Sequence, residues 1–248
     1  MTILPIFPLP YCLLLPIHSL LGLDSPLPFP LSLTIVAGFL GTIILLAEVI
    51  NRLSATGVEV TRKIVHIGAG NVILLAWGLG IPAWIAIAAA VIASLVAIIS
   101  YYLPILPSIN SVGRQSLGTF FYALSVGLLV GIFWPLQQPQ YAVIGILVMA
   151  WGDGLAALIG QKFGTHRYSV WGSQKSWEGT LTMFLVSFTV AFGVLASVQD
   201  NMIHNSAIAL VVAIAAASLE TISQLGIDNL SVPLGSAMLC WWLERFLP

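Results

Sequence analysis

Charge is what this chain has least of. Only 7% of its 248 residues are charged, eight Lys or Arg against nine Asp or Glu, for a formal net charge of −1. A soluble domain carries about 25% charged residues, so too few are present to keep a water-exposed surface dispersed. There is no basic excess, which excludes a nucleic-acid partner. There are two cysteines, Cys12 and Cys240, in apolar segments at opposite ends of the chain. That excludes a disulfide framework or zinc spacing and predicts buried free thiols. Residues 1–21 lack a positive leading region, and Pro5, Pro8, Pro10 and Pro16 interrupt the run, so they do not read as a signal peptide. No Arg- and Ser-rich transit segment, internal repeat or low-complexity tail is visible. There is also no Walker A sequence and no protein-kinase Gly-rich loop with its partner motifs, so a phosphate-binding site here must be built another way.

What the chain has in abundance is apolar side chains: 59% of residues are hydrophobic and the mean hydropathy is +1.03. They form runs of about 17–22 residues, the length of helices that cross a hydrocarbon core of about 30 Å. Lipid admits only helices or closed barrels. The expected fold is therefore an all-α polytopic transmembrane bundle of eight or nine segments, at 5–21, 31–50, 64–80, 82–103, 117–134, 141–160, 180–198, 206–222 and 231–247. Residues 1–30 read as an irregular, Pro-rich N-terminal membrane segment and 31–248 as one membrane domain. Turn chemistry separates the segments, as at Asp24-Ser25-Pro26, Gly80-Ile81-Pro82 and Asp200-Asn201.

Threaded through these segments, the basic residues are strongly sided. Arg52, Arg62, Lys63, Arg114, Lys162, Arg167 and Lys175 fall on one face and Arg245 alone on the other. By the positive-inside rule the richer face is cytoplasmic. Glu48, Glu59, Asp153, Glu178, Glu220 and Asp228 lie on or near that face. Acids within spans are expensive and mark functional sites by default.

Four stretches carry the candidate chemistry. Asp153 lies within Gly152-Asp153-Gly154, about 10 Å inside the end of its segment. It is either a divalent-metal ligand in a groove that a polyphosphate approaches or a polar bond between close-packed helices. Lys175-Ser176-Trp177-Glu178-Gly179 opens the next segment, with Ser176 as N-cap. A helix N-terminus with a Lys and glycines is a ready anion site, and Glu178 suits either the helix dipole or a Mg²⁺ that bridges to phosphate. Arg62, Lys63 and His66 share a helix face at the start of another segment. Glu220 lies near a span end, and Asp228-Asn229 reads as a tight turn before Pro233. Bases for phosphate, acids for Mg²⁺ and an apolar bundle for a lipid together suit phosphoryl or nucleotidyl transfer to a lipid.

These motifs also carry a resemblance. Arg62-Lys63 with His66-Ile67-Gly68, Gly152-Asp153-Gly154 through Gly160 and Phe163-Gly164, Lys175-Ser176-Trp177-Glu178-Gly179, and Asp228-Asn229-Leu230-Ser231-Val232-Pro233-Leu234 resemble, in order, the phytol kinase branch of the polyprenol (dolichol) kinase family. The Lys-Ser-Trp-Glu-Gly element also resembles, more distantly, phosphatidate cytidylyltransferases. The resemblance implies a multi-pass kinase that phosphorylates an isoprenoid alcohol, phytol first, with CTP as donor and Mg²⁺, in salvage toward tocopherol and related prenyl lipids. The membrane it implies is a bacterial plasma or thylakoid-type membrane. It implies Asp153 and Asp228 as metal ligands, and Lys175, Ser176, Gly179, Arg62, Lys63, Lys162 and Asn229 around the donor. Glu178 would support metal or donor, and Glu220 or His66 would orient or deprotonate the alcohol. A CDP-lipid-forming cytidylyltransferase and a dolichol or farnesol kinase are the enzyme alternatives. A lipid transporter is the alternative of another class, but it calls for inverted repeats or acids near the midplane of several spans.

Overall fold

The computed structural model describes residues 27–53, 58–102 and 117–247. Cys12, Arg114 and residues 1–26 of the Pro-rich N-terminal segment lie outside the described residues. The described residues form helices, their short connections and one short hairpin. Helices run α1 Phe29–Leu53, α2 Val58–Gly70, α3 Val72–Gly78, α4 Ala83–Tyr102, α5 Gly118–Phe133, α6 Pro139–Leu147 and, after a π-helical turn over Val148–Asp153, α7 Gly154–Phe163. Strands β1 Arg167–Val170 and β2 Ser173–Ser176 follow, then α8 Trp177–Val198, α9 Met202–Ile222 and α10 Asp228–Phe246. Among the described residues, five stretches are long and apolar enough to cross a membrane: Phe29–Ile50, Ala83–Ser100, Pro139–Phe163, Trp177–Val198 and Met202–Ile222. The all-α polytopic bundle is thus the observed architecture.

The bundle is built around α6. Residues 141–150 are buried without interruption, as a helix apolar on all sides must be. Helices α5, α8 and α10 pack on α6. By contrast α1 and α4 expose most of their apolar side chains, Leu45, Ile92 and Leu95 among them, which places them toward lipid. Cys240 is buried and free, as its apolar setting predicts.

Several local features differ from the sequence expectation. The expected segment 64–80 is two helices that meet at Asn71, whose side chain donates to the Ile67 carbonyl at 2.8 Å and accepts from Trp151 Nε1 at 3.2 Å. A short amide that competes for backbone partners favours such a break. Asp228-Asn229 is not the turn. Leu225 and Gly226 take positive φ, 55° and 87°, and make it; Asp228 opens α10, where its charge suits the helix dipole. Pro233 therefore lies inside α10. The polar connection 161–177 contains the β1–β2 hairpin, too short for period-two alternation to announce it.

Helices α6 and α10 approach closely at Gly145 of α6. A Cβ there would stand 2.4 Å from the carbonyl oxygen of Pro233 and 3.0 Å from the Ala237 methyl of α10. A Cβ on Gly38 of α1 would meet nothing within 4 Å. Gly145→Ala is expected to lower the midpoint of thermal unfolding in detergent, at a cost of about 1–3 kcal/mol typical of overpacking. Gly38→Ala is expected to leave the midpoint unchanged or raised. Equal midpoints for the two variants would show that α6 and α10 do not pack this closely.

Candidate active site

The π-helical turn positions the first charged group. It ends on Asp153, and the residues on either side have no side chain for a reason of space. A Cβ on Gly152 would lie 2.6 Å from Met183 Sδ of α8, and one on Gly154 2.5 Å from Ile67 Cγ1 of α2. Both neighbouring helices can therefore close on Asp153. From α2, Lys63 donates to Asp153 Oδ2 at 2.6 Å, and His66 Nε2 lies 3.5 Å from the same oxygen. Lys63 is buried and the Asp153 side chain nearly so. The His66 ring meets the edge of Tyr122 of α5 at 4.8 Å between centroids, and the Tyr122 hydroxyl donates to the His66 carbonyl at 3.2 Å. Asp153 thus makes the helix-to-helix bond that the sequence allowed as one of its two roles. Arg62 is exposed, while Lys63 and His66 use their shared face as the i, i+3 spacing requires.

The second charged pair is on the hairpin. Lys175 of β2 donates to Glu220 Oε1 of α9 at 2.5 Å and also to the Glu220 carbonyl. A half-turn later Ser176 caps α8, accepting from the Gly179 N–H at 3.1 Å as an N-cap should. Lys175, Ser176, Gly179 and Glu220 line one hollow of about 340 Å³, together with Arg167, Gln174 and Thr180. Its floor is α7, where a Cβ on Gly160 would reach Ser176 Oγ at 2.9 Å. The volume is in the range of small-ligand pockets, about 300–1,000 Å³.

The two pairs belong to one electrostatic neighbourhood. Asp228 at the start of α10 feels the charges of Asp153, Lys63 and Lys175, and Glu220 feels those of Asp153 and Asp228. The buried Oδ1 of Asn229, next to Asp228, has no hydrogen-bond partner. Among the described residues no three His, Cys, Asp or Glu side chains gather closely enough to hold a metal ion by themselves.

Arg62, Lys63, His66, Asp153, Asp228 and Asn229 do not line the hollow, and two further expected site residues, Lys162 and Glu178, stand apart from it as well. Lys162 is exposed and lies over its neighbour's ring, 5.3 Å from the Phe163 centroid. Glu178 does not line the hollow. Its Oε1 accepts from Thr165 N, Thr165 Oγ1 and His166 N, and is 2.8 Å from His166 Nδ1. A carboxylate so occupied at the head of α8 fastens the chain just before the hairpin. Tyr122, Arg167, Gln174, Tyr168 and Thr180 are site-region residues that the sequence reading did not single out. Arg167 carried a signal in its charge and sidedness. The others are common polar or aromatic residues that only the tertiary fold distinguishes.

No family model and no solved structure matches the chain. The chain is 56% identical over 225 residues to a phytol kinase of Synechocystis sp., an alignment that covers 89% of this chain and 97% of that protein. It is 29% identical over 201 residues to the chloroplastic phytol kinase 1 of Arabidopsis thaliana, covering 73% of this chain and 65% of the plant protein. A chloroplastic farnesol kinase of the same plant is 29% identical over 205 residues and is covered to 64% of its length. The chain thus spans nearly all of the cyanobacterial relative and less than two thirds of the plant ones.

The buried Lys63–Asp153 pair makes its own test. Removing one partner from a buried pair strands the other charge, at a cost of about 3–5 kcal/mol, whereas removing both is far cheaper. Lys63→Met and Asp153→Asn are each expected to lower the unfolding midpoint sharply, and the double variant to recover most of the loss. Additive losses in the double-mutant cycle would mean that the two groups do not interact.

Proposed function

Since the chain belongs to the phytol kinase branch of the polyprenol kinase family, we propose that it transfers the γ-phosphoryl group of CTP to phytol, at the cytoplasmic face of its membrane. The observation that carries this reading is the hollow at the hairpin. It brings Lys175, the capped N-terminus of α8 and the carboxylate of Glu220 together at the end of an apolar bundle. A helix N-terminus beside an ammonium group suits a polyphosphate. A carboxylate at the same place suits the acceptor's proton, and the bundle suits the acceptor's tail. Residues 31–248 form the catalytic unit in this reading.

Phosphoryl transfer asks a protein mainly for positioning and charge neutralisation. Lys175 would hold the terminal phosphates and offset charge that develops on them. The alcohol oxygen bonds to the γ-phosphorus as the bond from that phosphorus to the bridging oxygen breaks. The bridging oxygen leaves with the electron pair on CDP, and the hydroxyl proton passes to Glu220. Lys175 neutralises Glu220 before the nucleotide binds, so drawing the ammonium toward phosphate leaves the carboxylate a better base. His66, packed on Tyr122 and close to Asp153, would hold that aspartate in place rather than meet the alcohol.

The residues also fit Mg²⁺. Asp153 and Asp228 with the unpartnered carbonyl of Asn229 are hard oxygen donors, and an ion that takes one or two carboxylates and completes its shell with water and phosphate needs no all-protein cage. When bound, the ion supplies positive charge that draws the phosphates together and stabilises the departing diphosphate. The product, a phytyl phosphate, would feed prenyl-lipid salvage of the tocopherol kind.

Purified protein in lipid nanodiscs, given phytol and CTP, is expected to yield lipid labelled from the γ-phosphate and none labelled from the α-phosphate. Retention of α-label would make the protein a cytidylyltransferase instead. Transfer to farnesol in preference to phytol would change the acceptor, and faster transfer from ATP or UTP would change the donor. Lys175→Ala is expected to raise the KM for nucleotide by about tenfold or more, the scale of one charge-assisted hydrogen bond. An unchanged KM for nucleotide would move the phosphates away from the hairpin.

A further inference from the structure

The hollow described so far has a place for phosphate but no stated place for the alcohol. The acceptor has a demanding shape: a tail that must stay in lipid and a hydroxyl that must reach a polar hollow. Its site has to touch both. On α8, Trp177, Leu181 and Leu185 recur every fourth residue and are exposed along one stripe. On α9, Ile214, Ser218 and Ile222 do the same. These stripes belong to the apolar exterior that the composition assigns to lipid. Where they end at the hairpin, three half-buried hydroxyl groups meet. Tyr168 of β1 lies with its oxygen 2.5 Å from Thr180 Oγ1 of α8 and 3.3 Å from Thr221 Oγ1 of α9.

Three features tie this cluster to the hollow and to lipid. Thr180 lines the hollow. Thr221 follows Glu220, whose carboxylate the reaction would use. Tyr168 is paired across the hairpin with Lys175, so the two side chains rise side by side from one face of the ribbon, with Cβ atoms about 5 Å apart. On its other side the Tyr168 ring packs on Trp177, at 5.1 Å between centroids, and Trp177 is 64% exposed. The cluster therefore has the phosphate-holding lysine beside it and the lipid-facing stripe of α8 next to that. A hydroxyl both donates and accepts, so an incoming alcohol can insert at the longer Tyr168–Thr221 contact and bond to both.

We propose that Tyr168, Thr180 and Thr221 form the acceptor site, in which the hydroxyl of a membrane-borne isoprenoid alcohol is held between the hairpin and the ends of α8 and α9 while its tail lies along their lipid-facing seam. The proposal rests on the kinase reading above and adds where the acceptor binds and from which side it arrives. Phytol would come laterally from the bilayer past Trp177, and the nucleotide from the cytosol, and the two would meet at Lys175.

Two measurements test it. Steady-state kinetics in nanodiscs should show that Tyr168→Phe and Thr221→Val each raise the KM for phytol about three- to tenfold, the value of one hydrogen bond. The KM for CTP should stay within about twofold. A parallel rise in both KM values would mean that Tyr168 only holds the hairpin, and an unchanged KM for phytol would remove the site; either result overturns the proposal. Photolabelling with a phytol analogue that carries a diazirine near its hydroxyl end reads binding without turnover. Labels on β1, the start of α8 and the end of α9 are expected. Labels around His66 and Tyr122 would put the alcohol at the Lys63–Asp153 pair and overturn the proposal. Labelling at the expected place in a protein that transfers no phosphate would sink the kinase reading and leave the lipid site standing.

Discussion

A charge in an apolar bundle must be neutralised where it stands, because the nearest water is too far to help and the unpaired group costs several kcal/mol. The Lys63–Asp153 pair meets that demand between α2 and the π-helical turn, and Lys175–Glu220 makes a second pair at the hollow, between the hairpin and α9. Each pair joins residues far apart in the chain, Lys63 to Asp153 across 90 positions and Lys175 to Glu220 across 45. The pairs therefore do more than cancel charge. They register helices that the non-directional packing of apolar side chains would leave free to slide, since lipid offers no hydrophobic drive between one apolar helix and another.

The hairpin shows the same constraint in a smaller element. Two strands of four residues are marginal alone. This ribbon is held at its base by Glu178, which engages Thr165 and His166, and along its face by Lys175–Glu220 and by Tyr168 against Thr180 and Thr221. At its tip Gln224 donates to the Trp171 carbonyl at 2.7 Å. Nearly every one of these contacts runs to α8 or α9. The hairpin is a bridge across the ends of those two helices, so the hollow beneath it has a roof whose position depends on polar contacts rather than on a core. Small residues finish the arrangement from below, where Gly160 lets α7 come close beneath Ser176.

Much of this could be read from the residues alone, and what could not has a common cause. The spans were legible because lipid imposes length and apolarity on each of them, and expected and observed boundaries of α1, α4, α5, α8 and α9 differ by a few residues. The N-cap at Ser176 was legible because capping is local. The gathering of Lys175, Ser176, Gly179 and Glu220 was legible through sidedness. Pairing was not. Nothing in the spacing of Lys63 says that it reaches Asp153 rather than a phosphate, or that Glu178 turns back to Thr165 and His166 rather than into the hollow. The turn at Leu225-Gly226 was missed because Asp228-Asn229 offered the commoner turn chemistry three residues on. The hairpin and the Tyr168 cluster were missed because four-residue strands and single Tyr or Thr residues carry no periodic signal. Long-range polar pairing depends on which helices are neighbours, and a single sequence does not state that.

The depth of the hollow has a consequence for the chemistry. A long-chain alcohol rests with its hydroxyl at the level of the headgroups and its chain among the acyl tails, while a nucleoside triphosphate, with several negative charges, cannot leave water. An enzyme for this pair need not move either far if its phosphate-binding groups lie at the interface itself. The hollow lies at the end of α7, the start of α8 and the end of α9, beside a hairpin that exposes Trp171 at its tip, 72% accessible, and is followed at its base by the exposed Trp177. Tryptophan is the residue that favours that layer of the bilayer. In the proposed reaction, Lys175 on a short ribbon rather than inside a span would keep the cation close to water for the nucleotide and within reach of lipid for the alcohol. The Lys63–Asp153 pair, buried where the π-helical turn meets α7, also ties α2 to that turn, a task that does not depend on the ion Asp153 would help to hold and that keeps the neighbouring polar groups in their places.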